Sequence, residues 1–294
     1  PFTQSRYNGE GREVALSVEL TDVVREYRAG GQTVRALDGL SLRICGGQFT
    51  SIVGPSGAGK STLLHLLGAL DSPDSGSICF DGVEIATMTD DEQSNFRRRQ
   101  VGFIFQFFNL LPTLSAWENV AIPNLLDGQK LRKSRPDAVR LLELVGLGNR
   151  INHRPCELSG GQMQRVAVAR ALMMDPPLIL ADEPTGNLDS ATGAAIMELL
   201  KDVAHDRHAG RAVVMVTHNL QAAASTDRVI TMQDGALKSD VVPRPVPPPS
   251  GRHSTGMRDQ PTEIIPIVHN GAFAAGMLVE APQVGRGRHA DRRG

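Results

Sequence analysis

The chain has almost no net charge, no long hydrophobic run and no paired cysteines. Its 31 Lys and Arg oppose 32 Asp and Glu, a formal net of -1. A strongly basic domain, the electrostatic footprint of a nucleic-acid binder, is therefore missing, and no nucleic-acid partner is expected. No apolar run reaches the roughly 18 residues of a membrane-spanning helix. Pro1–Glu13 is polar where a secretory signal would carry an apolar core. The first residue is Pro rather than Met, which points to a processed, trimmed or partial chain. A role at a membrane would then require docking on another protein's transmembrane helices. The cysteines, Cys45, Cys79 and Cys156, are odd in number, far apart and outside any C-x-x-C pair. They read as small buried or partly buried thiols, compatible with a reducing cytoplasm. There is no internal repeat.

What is present suits one or two folded domains: 294 residues, 40% of them hydrophobic. Strand-like runs (VALSVEL, QTVRAL, LSLRI, FTSIV) fill residues 14–53, with Gly30-Gly31 and Gly46-Gly47 as turns. Turns and short strands follow over 72–85. From about 90 to 175 the pattern becomes largely helical, with LRKSRPDAVRLLELVGLG closed by glycines and SGGQMQRVAVARALMM opened by a serine cap. LILADEP and AVVMVTH then read as buried strands on either side of the helical TGAAIMELLKDVAHDR. Strands alternating with helices predict an α/β fold whose mostly parallel sheet is covered on both faces. From Val242 the chain is rich in Pro, Gly and Ser and is expected to be extended and unpacked. The expected organisation is a polar arm over 1–13, a folded domain over 14–241 with a helical subdomain near 90–175, and a disordered tail over 242–294.

One string carries specific chemistry. Gly54-Pro55-Ser56-Gly57-Ala58-Gly59-Lys60-Ser61-Thr62 matches G-x-x-x-x-G-K-[ST] between an expected strand and an expected helix. A triphosphate is densely anionic and must be wrapped by backbone N–H groups. Gly54, Gly57 and Gly59 allow close approach and positive φ. The following helix aims its free N–H groups and positive dipole end at the phosphates. Lys60 supplies charge to the β- and γ-phosphates, Ser61 a hydroxyl ligand for Mg2+, and Thr62 a further phosphate contact. A second string, LILADEP, ends a buried strand on Asp182 and Glu183. Asp182 is the expected Mg2+ partner, directly or through water, and Glu183 the general base that polarises water.

A third string, Leu158-Ser159-Gly160-Gly161-Gln162-Met163-Gln164-Arg165, closely resembles the LSGGQ signature of ABC transporter ATP-binding subunits. Physically it is a second anion-binding helix start, capped by Ser159, with N–H groups bared at Gly160 and Gly161. Further stretches resemble the same family. Gln106 in FIFQFFNLLPTLSAWENV sits at its Q-loop, Asp189 in GNLDS at its D-loop, and His218 in VMVTH at its switch histidine. Tyr27 in REYRAGG sits where an aromatic stacks on adenine. The resemblance covers roughly residues 14–241 and is strongest to the lipoprotein-release and macrolide-export group, which includes the cell-division ATPase paired with an FtsX-type membrane protein. Asn219 departs from the family, which usually has aspartate there.

The resemblance implies a P-loop NTPase fold: a RecA-like, mostly parallel sheet core, an antiparallel β subdomain and an inserted helical subdomain. It implies ATP and Mg2+, with Ser61, Gln106 and Asp182 at the metal. It implies nucleotide contacts from Tyr27, the Gly54–Thr62 loop, Gln106, Ser159, Gly160, Gly161, Gln162, Asp189 and His218. Catalysis falls to Glu183, His218, Gln106 and Lys60. It implies a second ATPase copy and a permease of FtsX or MacB type, at the cytoplasmic face of the membrane. Phe107, Phe108, Leu110 and Leu111 read either as part of the permease groove or as local core. Two other functions stay open: a cell-division ATPase driving a mechanical membrane partner, and a soluble ABC ATPase. The latter class usually carries coiled coils, zinc motifs or fused cassettes, and none is found.

Overall fold

The computed structural model describes residues 16–29, 31–206, 209–243 and 264–266. The polar arm over 1–13 and most of the tail lie outside these residues. Two sheets organise the chain. β1 (Ser17–Ala29), β2 (Gln32–Cys45), β4 (Ser75–Phe80) and β5 (Val83–Glu84) form an antiparallel sheet in the order β2-β1-β4-β5. The second sheet has seven strands, β11-β10-β9-β3-β8-β7-β6. Five successive members, β9 (Arg228–Gln233), β3 (Phe49–Val53), β8 (Ala212–Val216), β7 (Leu178–Asp182) and, at the edge, β6 (Val101–Ile104), run parallel. β10 (Ala236–Pro243) and β11 (Ile264–Pro266) extend it antiparallel.

β3, β7 and β8 are buried on both faces, and their period of two sorts side chains into two cores. Leu178 and Leu180 of β7, with Val214 and Val216 of β8, join Leu63, Leu66 and Leu67 of α1 (Lys60–Leu67) and the inner face of the antiparallel sheet. Ile179 and Ala181, with Val213 and Met215, face the other way. There they meet residues of α3 (Ala116–Leu126), α4 (Leu131–Leu144), α5 (Gly160–Ala171) and α6 (Ser190–His205). Each such Leu, almost wholly removed from water, contributes about 1.5–3 kcal/mol of transfer free energy. Among the described residues no helix is long and apolar enough to cross a membrane.

Three expectations need correction. The stretch 90–175 is not helical throughout: α2 (Asp90–Gln100) runs directly into β6, a strand of the parallel sheet, so the helical insertion begins after Ile104. Gly102 is unfavourable inside a strand, and four residues are too few to show a period. At the other end, β10 carries the folded part through Pro243, past the expected boundary at 241, and 264–266 pairs with it. Finally, Cys156 is exposed, whereas Cys45 and Cys79 are partly buried.

Candidate functional site

The C-terminal ends of β3, β8 and β7 lie side by side, because these strands are neighbours in the sheet. Ligands of open parallel sheets bind at this edge. β3 is buried along its whole length and passes at Val53 into the loop that starts at Gly54. Gly54, Gly57 and Gly59 have φ of +154°, +80° and +91°. A Cβ on Gly54 would stand 2.2 Å from the Met232 carbonyl oxygen, and one on Gly59 2.2 Å from that of Ala36. Gly57 is surrounded by open space, and only its φ calls for glycine. α1 begins at Lys60 with no side chain capping its N-terminus, which leaves its first N–H groups for an anion. Lys60 Nζ donates to the carbonyls of Gly54 and Pro55, both at 2.8 Å.

β7 delivers Asp182 and Glu183 to the same edge. Burial, then the neighbouring Glu183 charge, push the Asp182 carboxyl up, against the pull of His65 and Lys60. A carboxylate so placed is relieved by a cation. Among the described residues no cluster of three or more His, Cys, Asp or Glu could cage a metal. One carboxylate and one hydroxyl, from Asp182 and Ser61, instead fit Mg2+, which keeps its waters and shares substrate phosphates. Glu183 takes up φ +47°, uncommon for a residue with a Cβ. Its Oε1 accepts from the His218 backbone N–H (3.0 Å) and from Nδ1 (2.7 Å), and its Oε2 accepts from Thr217 Oγ1 (3.2 Å). The Glu183 side chain is 16% exposed and that of His218 73%. Thr217 escaped the sequence reading, since a threonine before a histidine carries no signal of its own.

A cavity of about 520 Å³ gathers Tyr27, Gly54, Ser56, Gly57, Gly59, Lys60, Ser61, Thr62, Gln106, Asp182, Glu183 and His218. Pro55 and Ala58 belong to the same loop but do not line it. Tyr27 lies at the rim with Arg25 across its ring at 4.9 Å and its hydroxyl donating to Asp71 at 2.7 Å. The Gln106 backbone carbonyl accepts from Asn187 Nδ2 at 2.9 Å, which ties the segment after β6 to the segment after β7.

Ser159, Gly160, Gly161 and Gln162 do not line this cavity. Ser159 caps α5 with a reciprocal pair: its Oγ accepts from Gln162 N–H, and Gln162 Oε1 accepts from Ser159 N–H. Asp189 also lies elsewhere, lining a cavity of about 330 Å³ beside α6, whose N-terminus it caps. Hydrogen bonds from Thr192, then Ala191, hold its carboxyl below the usual range. Asn219 caps α7 (Leu220–Ala224) by accepting from Gln221 and Ala222 N–H. Asn and Asp cap about equally well, so the departure from the family costs the fold nothing here.

A fourth feature adjoins the helical insertion. Phe108 and Asn109 have φ of +52° and +49°. Arg170 of α5, its guanidinium pKa lowered by burial, donates to both their carbonyls. A cavity of about 560 Å³ opens beside them, with Phe103, Phe105, Ile122, Leu126 and Met174 in its lining. Phe107, Phe108, Leu110 and Leu111 do not line it: Leu110 packs against the second core, while Phe107 is 73% exposed.

Comparison with known proteins points to one family. Residues 37–186 match the ABC transporter family model. The macrolide export ATP-binding/permease protein MacB of Chlorobaculum tepidum is 48% identical over 223 residues, 76% of this chain but 34% of that protein. The chain therefore spans about a third of the length of that relative. An ABC transporter ATP-binding protein of Thermotoga maritima is 48% identical over 75% of this chain and 93% of its own length. The lipoprotein-releasing ATP-binding protein LolD of Shewanella frigidimarina is 44% identical over 75% and 92%. Among solved structures, the dimeric ATP-binding cassette MJ0796, in a post-hydrolysis state with ADP and Pi, superposes with a TM-score of 0.71 at 42% identity, covering 78% of this chain and all of its own. By the family model and by relatives that match it over nearly their whole length, the chain belongs to the ABC transporter family and is an ATP-hydrolysing nucleotide-binding cassette.

Proposed function

We propose that the chain works as a pair of copies that clasp ATP at their seam and drive a membrane permease. One observation carries this reading. The phosphate loop, Asp182, Glu183 and His218 share one cavity, while the signature helix start of the same chain lies outside it. Two anion-binding helix starts that do not converge within one chain converge when two copies meet head to tail. That MJ0796 is dimeric with ADP and Pi bound supports the pairing of two copies.

Each copy then divides the labour. The Gly54–Thr62 loop and the start of α1 hold the phosphates, with Lys60 as counter-charge. Ser61, Asp182 and Gln106 hold Mg2+, which supplies neutralising charge to the phosphates when bound. Glu183 orients the attacking water and accepts its proton. The hydrogen bonds from Thr217 and from the His218 backbone and ring fix the Glu183 carboxylate, and the exposed His218 ring contacts the γ-phosphate. Tyr27 borders the adenine. Ser159, Gly160, Gly161 and Gln162 serve the ATP held by the other copy, with Asp189 at the same seam. The cavity lined by Phe103, Phe105 and Ile122 receives the permease, of the FtsX or MacB type, so that the cassette works at the cytoplasmic face of the membrane.

The test is Glu183→Gln, alone and combined with Ser159→Arg. Glu183→Gln keeps ATP binding, loses phosphate release and accumulates an ATP-dependent dimer in light scattering. The double variant binds ATP but stays monomeric. Normal phosphate release by Glu183→Gln removes Glu183 as base, and a dimer unaffected by Ser159→Arg removes the shared seam.

A further inference from the structure

We infer that Gln164 is a positioning residue for hydrolysis, its buried amide fixing the backbone elbow that carries Glu183 to the signature helix. The inference rests on the reading of Glu183 as general base. Gln164 is fully buried, and its Nε2 donates to the Pro184 carbonyl at 2.8 Å. Its Oε1 has no hydrogen-bond partner among the described residues. An amide buried with one end unpaired is a poor choice for packing alone, since Met or Leu would fill the space without the desolvation cost. The one bond that the amide makes is what recommends it there.

That bond reaches a strained place. Pro184 follows Glu183, whose φ is +47°. Strained backbone persists where its surroundings over-determine it. Glu183 N–H donates to Val216 at 2.9 Å, and the Glu183 carbonyl accepts from Gly186 at 3.0 Å. Proline has no N–H to offer, so the Pro184 carbonyl is its remaining backbone handle, and Gln164 holds it. The helix that supplies Gln164 begins at the Ser159 cap. The same helix touches the carboxylate segment's following helix at Gly161, where a Cβ would stand 2.2 Å from Thr192 Cγ2. One amide thus joins the helix start offered to one ATP and the carboxylate that acts on the other.

The experiment measures ATPase kinetics and thermal unfolding of Gln164→Met and Gln164→Glu beside wild type and Glu183→Gln. Gln164→Met keeps the volume and removes the donor. Its kcat is expected to fall about tenfold, with KM for ATP within about twofold, because the phosphate loop is untouched. A buried glutamic acid donates through its O–H only while protonated, and burial raises its pKa. The activity of Gln164→Glu relative to wild type is therefore expected to rise as pH falls from about 8 to about 6. Wild-type kcat in a folded Gln164→Met protein overturns the inference, as does a fall in Tm alone. If Gln164→Met does not fold, a flat activity ratio for Gln164→Glu across that pH range overturns it instead. Turnover by Glu183→Gln would remove the underlying base assignment, whereas an inactive Glu183→Gln beside a normal Gln164→Met removes only the role of Gln164.

Discussion

Replacing Gly59 by alanine should do far more harm to ATP binding than the same change at Gly57, two residues earlier in one loop. Both glycines have φ in the left-handed half of the map, +80° at Gly57 and +91° at Gly59. For a residue with a Cβ that conformation costs about 1–2 kcal/mol. The surroundings then separate them. Around Gly57 a Cβ meets nothing within 4 Å, while at Gly59 it falls 2.2 Å from the Ala36 carbonyl oxygen and 3.0 Å from Leu37 Cδ2. Ala36 sits at a bulge in β2, held from both sides by the pairing of Arg35 with Glu26 and of Leu37 with Arg25 of β1. Overpacking against such a neighbour adds about 1–3 kcal/mol. Gly59→Ala thus carries about 2–5 kcal/mol of strain, and the loop sheds it by leaving the shape that wraps phosphate. ATP must then restore that shape, so the strain is subtracted from binding. At 1.4 kcal/mol per factor of ten, Kd weakens at least about 30-fold for Gly59→Ala and about five- to thirtyfold for Gly57→Ala. Titration with a fluorescent ATP analogue measures both, and circular dichroism confirms that each variant is folded. Equal affinities for the two variants would refute the claim that contact with β2, rather than backbone conformation alone, demands glycine at 59.

The raised pKa of Asp182 makes a stability prediction. Its folded pKa lies above its unfolded one, so its contribution is full below the unfolded carboxylate range and is lost as pH rises through the folded value. At neutral pH the ionised Asp182 therefore destabilises the nucleotide-free chain. Asp182→Asn is expected to raise the Tm near neutrality, a gain that shrinks toward about pH 4, while abolishing Mg2+-dependent hydrolysis. Calorimetry across pH that shows no gain would contradict the assigned cause. At the signature helix, Gly161→Ala should lower stability despite alanine's better helix propensity, because its Cβ meets Thr192 Cγ2 at 2.2 Å. Adding Thr192→Ser removes that methyl and should return the Tm to the wild-type value or above it. A double variant no better than the single one would place the strain elsewhere.

Legibility in the sequence followed how local each feature is. The phosphate loop was readable because its chemistry needs consecutive residues: glycines at 54, 57 and 59, then Lys60 and Ser61. The serine cap at 159 was readable because capping reaches only three residues along the chain, and the structure closes it through Gln162. β6 was missed because four residues wedged after α2, one of them Gly102, show no period of their own. Thr217, Arg170 and Gln164 were missed for another reason. Each acts on a backbone or side-chain atom 20 or more residues away: Thr217 on Glu183, Arg170 on the Phe108 and Asn109 carbonyls, Gln164 on the Pro184 carbonyl.

The order of residues alone therefore determined what the groups are: an anion cradle, a carboxylate pair and a second glycine-bared helix start, since dipoles, φ freedom and charge are properties of short segments. Only the packed sheet decided which of them meet. Making β3, β8 and β7 neighbours puts Lys60, Asp182, Glu183 and His218 around one cavity. The separate seating of α5, packed on the other core through Val166, Val168 and Ala169 and tied to Pro184 by Gln164, keeps Ser159 out of it.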